Sequence, residues 1–338
     1  MTRVPRSIPL TLEGCAPGGC DDPAVRRQRL ILVLQIVLVV AMLVFLTIEV
    51  RSSWGDLRPR LEEMSLGHVF AAGGILASYY LIFVIGWVII LRALGMRIGY
   101  ADAVGAEMLS MLAKYIPGGV WTPAARVVAA KRLGLPPGPV LASVGYEAGL
   151  SAIAGVVVFA LALPYAPHVS LPVPLWTIIG FAVLLVVLLH PRIYGPVADK
   201  LLKRLGDEPI PRLPMRSTLG VLLFYGVTWL LGGLALRQMA LAFGADLPLS
   251  AIAYLGGASA LGAIVAVLVV FAPSGLGVRE GAVYALLLAY MDHATALVVV
   301  ALNRLLLTAV EALLLAGVTT FRRLRRAEPL VEPEPVRK

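Results

Sequence analysis

Residues 30–48 read LILVLQIVLVVAMLVFLTI, running from Leu30 to Ile48 without a charge, a proline or a glycine. As an α-helix this run rises about 28 Å at 1.5 Å per residue, close to the roughly 30 Å of a bilayer's hydrocarbon core. Arg26, Arg27 and Arg29 precede it, as basic residues precede a signal peptide's apolar segment, but the run is too long for one and no small-residue cleavage site follows. It reads as a retained first span. Further apolar runs over 69–91, 140–163, 174–190, 218–236, 250–271, 281–291 and 296–320 predict an all-α, polytopic membrane bundle of about eight transmembrane helices.

The composition of the 338-residue chain agrees, with 59% hydrophobic and 14% charged residues and a mean hydropathy of +0.88, outside the soluble range. The expected organisation is a cytoplasmic tail over 1–29, a transmembrane domain over 30–320, and a basic, disordered cytoplasmic tail over 321–338. The longest polar loop, 190–216, is too small to be a catalytic domain.

The net charge of +9 does not point to nucleic acid, because the basic residues are dispersed among loops and are not interleaved with exposed aromatics. With the N-terminus inside, cytoplasmic segments collect 24 of the 29 Lys and Arg residues, and the outer loops hold only Arg51, Arg58, Arg60 and Arg237. That asymmetry places both termini in the cytoplasm. Cys15 and Cys20 have no further Cys or His nearby, and His68, His168, His190 and His293 are scattered. Neither set has metal-ligand spacing, so no metal and no cofactor is expected. Trp54, Trp87, Trp176 and Trp229 fall near span ends, where indoles anchor at the interface.

Two segments do not behave as loops. Met108 to Trp121 is apolar on both sides of Pro117-Gly118-Gly119, too short to cross twice as regular helix, and reads as a re-entrant hairpin near 108–126 buried against protein. The second, near 271–281, is Phe271-Ala272-Pro273-Ser274-Gly275-Leu276-Gly277-Val278-Arg279-Glu280-Gly281. The apolar run after it is only about eleven residues, so a broken helix is expected there, with half-helix ends facing a common cavity of the kind that marks substrate sites. Each break carries Pro, Gly and a downstream Arg, Arg126 or Arg279, which suggests a diverged internal repeat with loose spacing.

Glu147 lies within the third span, and Arg304 and Glu311 lie seven residues apart in the last, two turns and therefore one face. Ions in a membrane avoid lipid, so these residues face a polar interior. One reading is that Glu147, Arg279, Glu280, Arg304 and Glu311 form internal ion pairs that only fix packing. The other is an anion site, because guanidinium groups and half-helix N-termini both bind phosphate oxygens. Gly232-Gly233 and Gly256-Gly257 suit close helix approach.

Tyr115-Ile116-Pro117-Gly118-Gly119-Val120-Trp121 with Arg126, then Glu147, then Pro273 to Gly281, then Arg304 and Glu311, resembles the transmembrane region of lysylphosphatidylglycerol synthases over roughly residues 30–320. In that family the region is flippase-like and moves aminoacylated phosphatidylglycerol between leaflets, while a separate soluble domain performs aminoacyl transfer. The resemblance therefore implies a stand-alone, flippase-like member in a bacterial inner membrane. It implies headgroup-binding roles for Lys114, Pro117, Gly118, Gly119, Trp121, Arg126, Glu147, Ser274, Gly275, Gly277, Arg279, Glu280, Arg304 and Glu311.

The leading expectation is a translocase for an anionic phospholipid or a polyprenyl-phosphate lipid. No nucleotide-binding motif is present, so transport would run downhill or couple to a proton through a carboxylate such as Glu147 or Glu311. The alternatives are an integral membrane transferase acting on a lipid phosphate, against which the absence of a paired-Asp metal motif counts, and a non-catalytic partner of a cell-envelope glycosyltransferase. A cell-envelope enzyme or a second copy of the chain is the protein partner these readings allow.

Overall fold

The computed structural model describes residues 62–114, 120–167, 212–269, 275 and 277–327, with single positions between 176 and 200. The expected first span at 30–48, most of the one at 174–190, Cys15, Cys20, Trp54, His168, His190, Pro117, Gly118, Gly119, Ser274 and the tail from 328 lie outside the described residues.

The described chain runs α1 (Leu66–Ala93), α2 (Tyr100–Ala113), α3 (Trp121–Lys131), α4 (Pro137–Ala162), a 3-10 turn (Leu163–Tyr165), α5 (Met215–Ala242), α6 (Ala251–Leu268), α7 (Val278–Leu287) and α8 (His293–Ala327). Five helical stretches are long and apolar enough to cross a membrane: Leu66–Ala93, Pro137–Tyr165, Met215–Ala242, Ala251–Leu268 and His293–Phe321. They cover five of the eight expected spans. The chain is a multi-pass helical membrane protein. Phe70, Leu161, Leu223, Val267 and Leu313 are exposed on these helices. An apolar residue facing outward from a bundle that is also apolar inside is what a lipid solvent requires.

The helix ends follow local chemistry. Pro136 and Pro214 precede α4 and α5 in extended conformation, with Pro137 in the first turn of α4 where a missing N–H costs nothing. Asp292 caps α8, its carboxylate accepting from the Thr295 N–H at 3.0 Å and from the Thr295 hydroxyl at 2.7 Å, an N-cap arrangement. Gly95, Gly134 and Gly244 end α1, α3 and α5 with φ of +83°, +83° and +75°, conformations that glycine takes without steric cost.

Glycines also set how the long helices meet. A Cβ on Gly233 would run into the Ile252 carbonyl and the Gly256 backbone, one on Gly256 into the Trp229 carbonyl, and one on Gly257 into the Phe159 backbone. The paired glycines therefore let α5, α6 and α4 approach backbone to backbone, as their sequence suggested. The N–H of Ser65, just before α1, donates to the carbonyl of Ala242 at 3.0 Å, which fixes the start of α1 beside the end of α5.

Two of the four tryptophans expected at the interface are in the core. Trp87 is fully buried and donates its indole N–H to the Ser143 hydroxyl at 2.9 Å, and Trp229 donates to the Ser151 carbonyl at 2.9 Å. A position near a helix end says nothing about which side of the helix the ring occupies. Here both rings face α4, whose oxygens satisfy the indole donors. Trp176 is exposed.

Candidate functional site

Around the first break, α2 and α3 pack against each other. At 14 and 11 residues they rise only about 21 and 17 Å, so neither crosses a bilayer alone. Arg126 on α3 is buried and forms ion pairs with Glu107 on α2 and Glu147 on α4. Its guanidinium also lies 5.0 Å from the Trp87 ring centroid on α1, a cation–π contact. One arginine thus joins four helices. Two carboxylates and one guanidinium give this triad a formal charge of −1.

Glu107 was not among the residues expected at the site. The apolar segment of the first break begins at Met108, one residue downstream, and Glu107 follows the run Ala103-Val104-Gly105-Ala106. That lone acid in an apolar helix is the signal that could have found it. Trp121, at the start of α3, is about half exposed.

The second break is built differently. Gly275 and Gly277 have φ of +65° and +83°, and a Cβ on Gly275 would overlap Ala266 of α6. Only glycine suits both the left-handed backbone and that approach. The turn therefore folds back along α6 instead of leaving its end. Gly262, eleven residues into α6, faces Arg279 and Val283, whose atoms a Cβ there would meet within 2.6–3.4 Å. The N-terminus of α7 consequently begins partway along α6, about 16 Å from the α6 start.

Glu280 holds that terminus. Its Oε2 accepts from the Gly277 N–H at 2.7 Å, and its Oε1 lies 3.4 Å from Arg304 Nη1 on α8. This is the acidic half of a capping box, with glycine offering no side chain in return. The amides of a helix's first turn have no partner within the helix and carry partial positive charge.

Ser259, Arg279, Glu280, Val283, Val300, Asn303, Arg304 and Leu307 line a small, half-open pocket between α6, α7 and α8. Among the described residues Arg279 has no carboxylate partner. Asn303 Oδ1 is buried without a hydrogen-bond partner. Asn303 and Ser259 were not expected at the site; Asn303 adjoins Arg304 in sequence, while nothing in the sequence around Ser259 distinguishes it.

Glu311 continues the polar face of α8 beyond Arg304. It pairs with Lys114 at the end of α2 and accepts a hydrogen bond from the buried Tyr80 hydroxyl on α1. Lys114 is close enough to Arg304 and Arg279 to feel both charges. Arg279, Arg304 and Lys114 against Glu280 and Glu311 leave this tract a formal +1. Of the expected site residues, the structure brings Lys114, Arg279, Glu280, Arg304 and Glu311 into one tract, and Arg126 and Glu147 into the separate triad. Gly275 and Gly277 shape the turn. Among the described residues no three His, Cys, Asp or Glu side chains are grouped to hold a metal ion.

A family model described as the lysylphosphatidylglycerol synthase transmembrane region matches residues 32–314, which includes both breaks and both charge clusters. No curated protein matches the chain.

Proposed function

Because the chain belongs to the lysylphosphatidylglycerol synthase transmembrane-region family, a membrane domain associated with lipid-related functions, we propose that it binds a phosphate-bearing lipid and moves it between leaflets. The observation that carries this reading is the cavity at the α7 N-terminus. A guanidinium without a carboxylate among the described residues, a second one shared with Glu280, and the N-terminal turn of α7 meet there. All three favour phosphate oxygens.

The lipid phosphate lies between Arg279 and Arg304, with its acyl or prenyl chains outside the bundle. Lys114 and Glu311 extend the polar path toward the first break, where α2 and α3 form a re-entrant hairpin. The charge distribution supports cytoplasmic termini in a bacterial inner membrane. The buried triad at Arg126 holds the hairpin to α4.

Reconstitution tests this. Full-length protein in liposomes carrying a fluorescent phospholipid should expose inner-leaflet label to an impermeant reductant. Arg279→Ala should slow that exposure at least about ten-fold, as expected when a charge-assisted contact is removed. Native mass spectrometry should show the same variant losing co-purified phospholipid. Wild-type liposomes no faster than protein-free ones, together with bound lipid indifferent to Arg279→Ala, would reject the reading.

A further inference from the structure

The triad at the first break carries more negative charge than it can balance. Glu107 and Glu147 share the single guanidinium of Arg126, and all three side chains are buried. Glu311, by contrast, meets a cation of its own in Lys114 and accepts a hydrogen bond from Tyr80. An uncompensated charge among buried apolar helices is expensive. Within the triad Glu147 Oε1 and Arg126 Nε are buried with no hydrogen-bond partner among the described residues. The same holds for the hydroxyl of the fully buried Tyr225 on α5, which is close enough to feel the charges of Glu147, Arg126 and Glu107. The cluster thus lacks one positive charge and has a bare carboxylate oxygen to receive it. A hard metal ion would need six or more oxygens and would be repelled by the guanidinium that both carboxylates share. A proton needs one oxygen, and carboxylates this close to each other titrate as a pair.

The two breaks also sense each other. Tyr79 on α1 is close enough to Arg279 of the second break and to Glu107 and Glu147 of the first to feel all three charges, and Glu107 feels Lys114. The other ionisable groups facing the two clusters, among the described residues, are Tyr80 on α1, Glu280 on α7, and Arg304 and Glu311 on α8; α6 carries no charged residue. Tyrosine hydroxyls are neutral near pH 7, so the −1 of the triad and the +1 of the tract balance within the protein. We propose that the triad is a proton-binding site linked to the α7 pocket, so that an anionic lipid phosphate on Arg279 draws one proton onto the Glu107–Glu147 pair. The inference rests on the phosphate-lipid reading above. The anion cancels the positive charge of the tract, which otherwise helps to keep both carboxylates ionised. One carboxylate then takes a proton from water and becomes a neutral acid, and the other stays paired with Arg126. By reciprocity the proton strengthens anion binding by the same factor. A lipid anion bound together with a proton adds no net charge to the interior of the bundle, which lowers the cost of holding it away from water.

Proton counting on the full-length protein in detergent tests this. Short-chain phosphatidylglycerol, whose phosphodiester does not itself titrate near neutral pH, is added to delipidated protein in weak buffer with a pH-indicator dye. Its affinity is followed by native mass spectrometry over a pH series. Wild type should take up protons as it binds, at most one per lipid, and its affinity should fall by up to about ten-fold per pH unit on the alkaline side. Glu107→Gln and Glu147→Gln each leave one carboxylate for one guanidinium. Either variant should therefore keep a monodisperse peak, take up no proton on binding, and bind with an affinity that ignores pH. If only one of them folds, the other carries the test. Collapse of both would mean that the triad needs both charges and holds no proton, which would overturn the inference. Lipid binding by wild type without proton uptake, or uptake that persists in the variants, would also overturn it while leaving the phosphate site standing. No lipid binding, or binding unaffected by Arg279→Ala, would instead remove the phosphate reading and the linkage with it.

Discussion

Two proline-glycine breaks each bring an arginine into the interior of this bundle, and the two arginines have opposite surroundings. Arg126 is enclosed by Glu107, Glu147 and the Trp87 ring, so its charge is more than balanced within the protein. Arg279 faces a cavity and has no carboxylate among the described residues, while the carboxylate next to it in sequence, Glu280, is turned to the helix cap and to Arg304. The comparison separates an ion paired within the protein from one that faces a pocket. What matters is whether the guanidinium's charge is already balanced by carboxylates, not whether it is buried.

Removing each arginine should therefore have different consequences, and the largest effect belongs to the triad. Arg126→Met leaves two carboxylates buried together and should cost about 3–5 kcal/mol, read as loss of the monodisperse peak in detergent size-exclusion chromatography. Arg279→Met should keep that peak. Adding Glu107→Gln and Glu147→Gln to Arg126→Met should recover most of the folded protein, because replacing all members of a buried ion cluster is far milder than removing one. A normal peak for Arg126→Met and a collapsed one for Arg279→Met would invert the comparison.

A smaller effect tests the scaffold that both regions share. Gly257→Ala pushes a methyl into the Phe159 backbone and should destabilise by about 1–3 kcal/mol, seen as a lower melting temperature. Gly232→Ala meets nothing closer than a Tyr79 ring carbon at 3.8 Å and should stay within about 0.5 kcal/mol of wild type. If the two behaved alike, glycine contact between α4 and α6 would not be what sets the spacing of the bundle.

The smallest expected effect sharpens the account of the triad. Trp87→Phe removes the indole donor to Ser143 and weakens the face offered to Arg126, at a cost of about 1 kcal/mol. Thermal denaturation should resolve that shift without loss of expression. An unchanged melting temperature would mean that the two carboxylates alone hold Arg126.

How far the site could be read from sequence differs between the breaks. At the second break, the short run after Gly281 already showed that no full helix follows. Gly275 and Gly277 then carried the turn, and Arg279, Glu280 and Arg304 do converge. At the first break, the interruption of the helix was legible but the partner of Arg126 was not. Glu107 lies 19 positions before it and meets it only because α2 folds back on α3. Trp87 and Trp229 were misplaced for a related reason, since Ser143 and Ser151, the oxygens that satisfy them, sit on a helix more than 50 residues away in sequence.

Sequence alone determined that this protein lives in lipid as a helical bundle, because apolar length and the need to bond every backbone group inside a helix depend on local composition. It also determined where the helices break, since proline and glycine act on their own stretch of backbone. Only the tertiary structure decided which charges cancel and which line a pocket. Ion pairing between α2, α3 and α4, and the cavity between α6, α7 and α8, depend on how helices distant in sequence are packed. That packing is set by glycine contacts whose partners no single stretch of sequence contains.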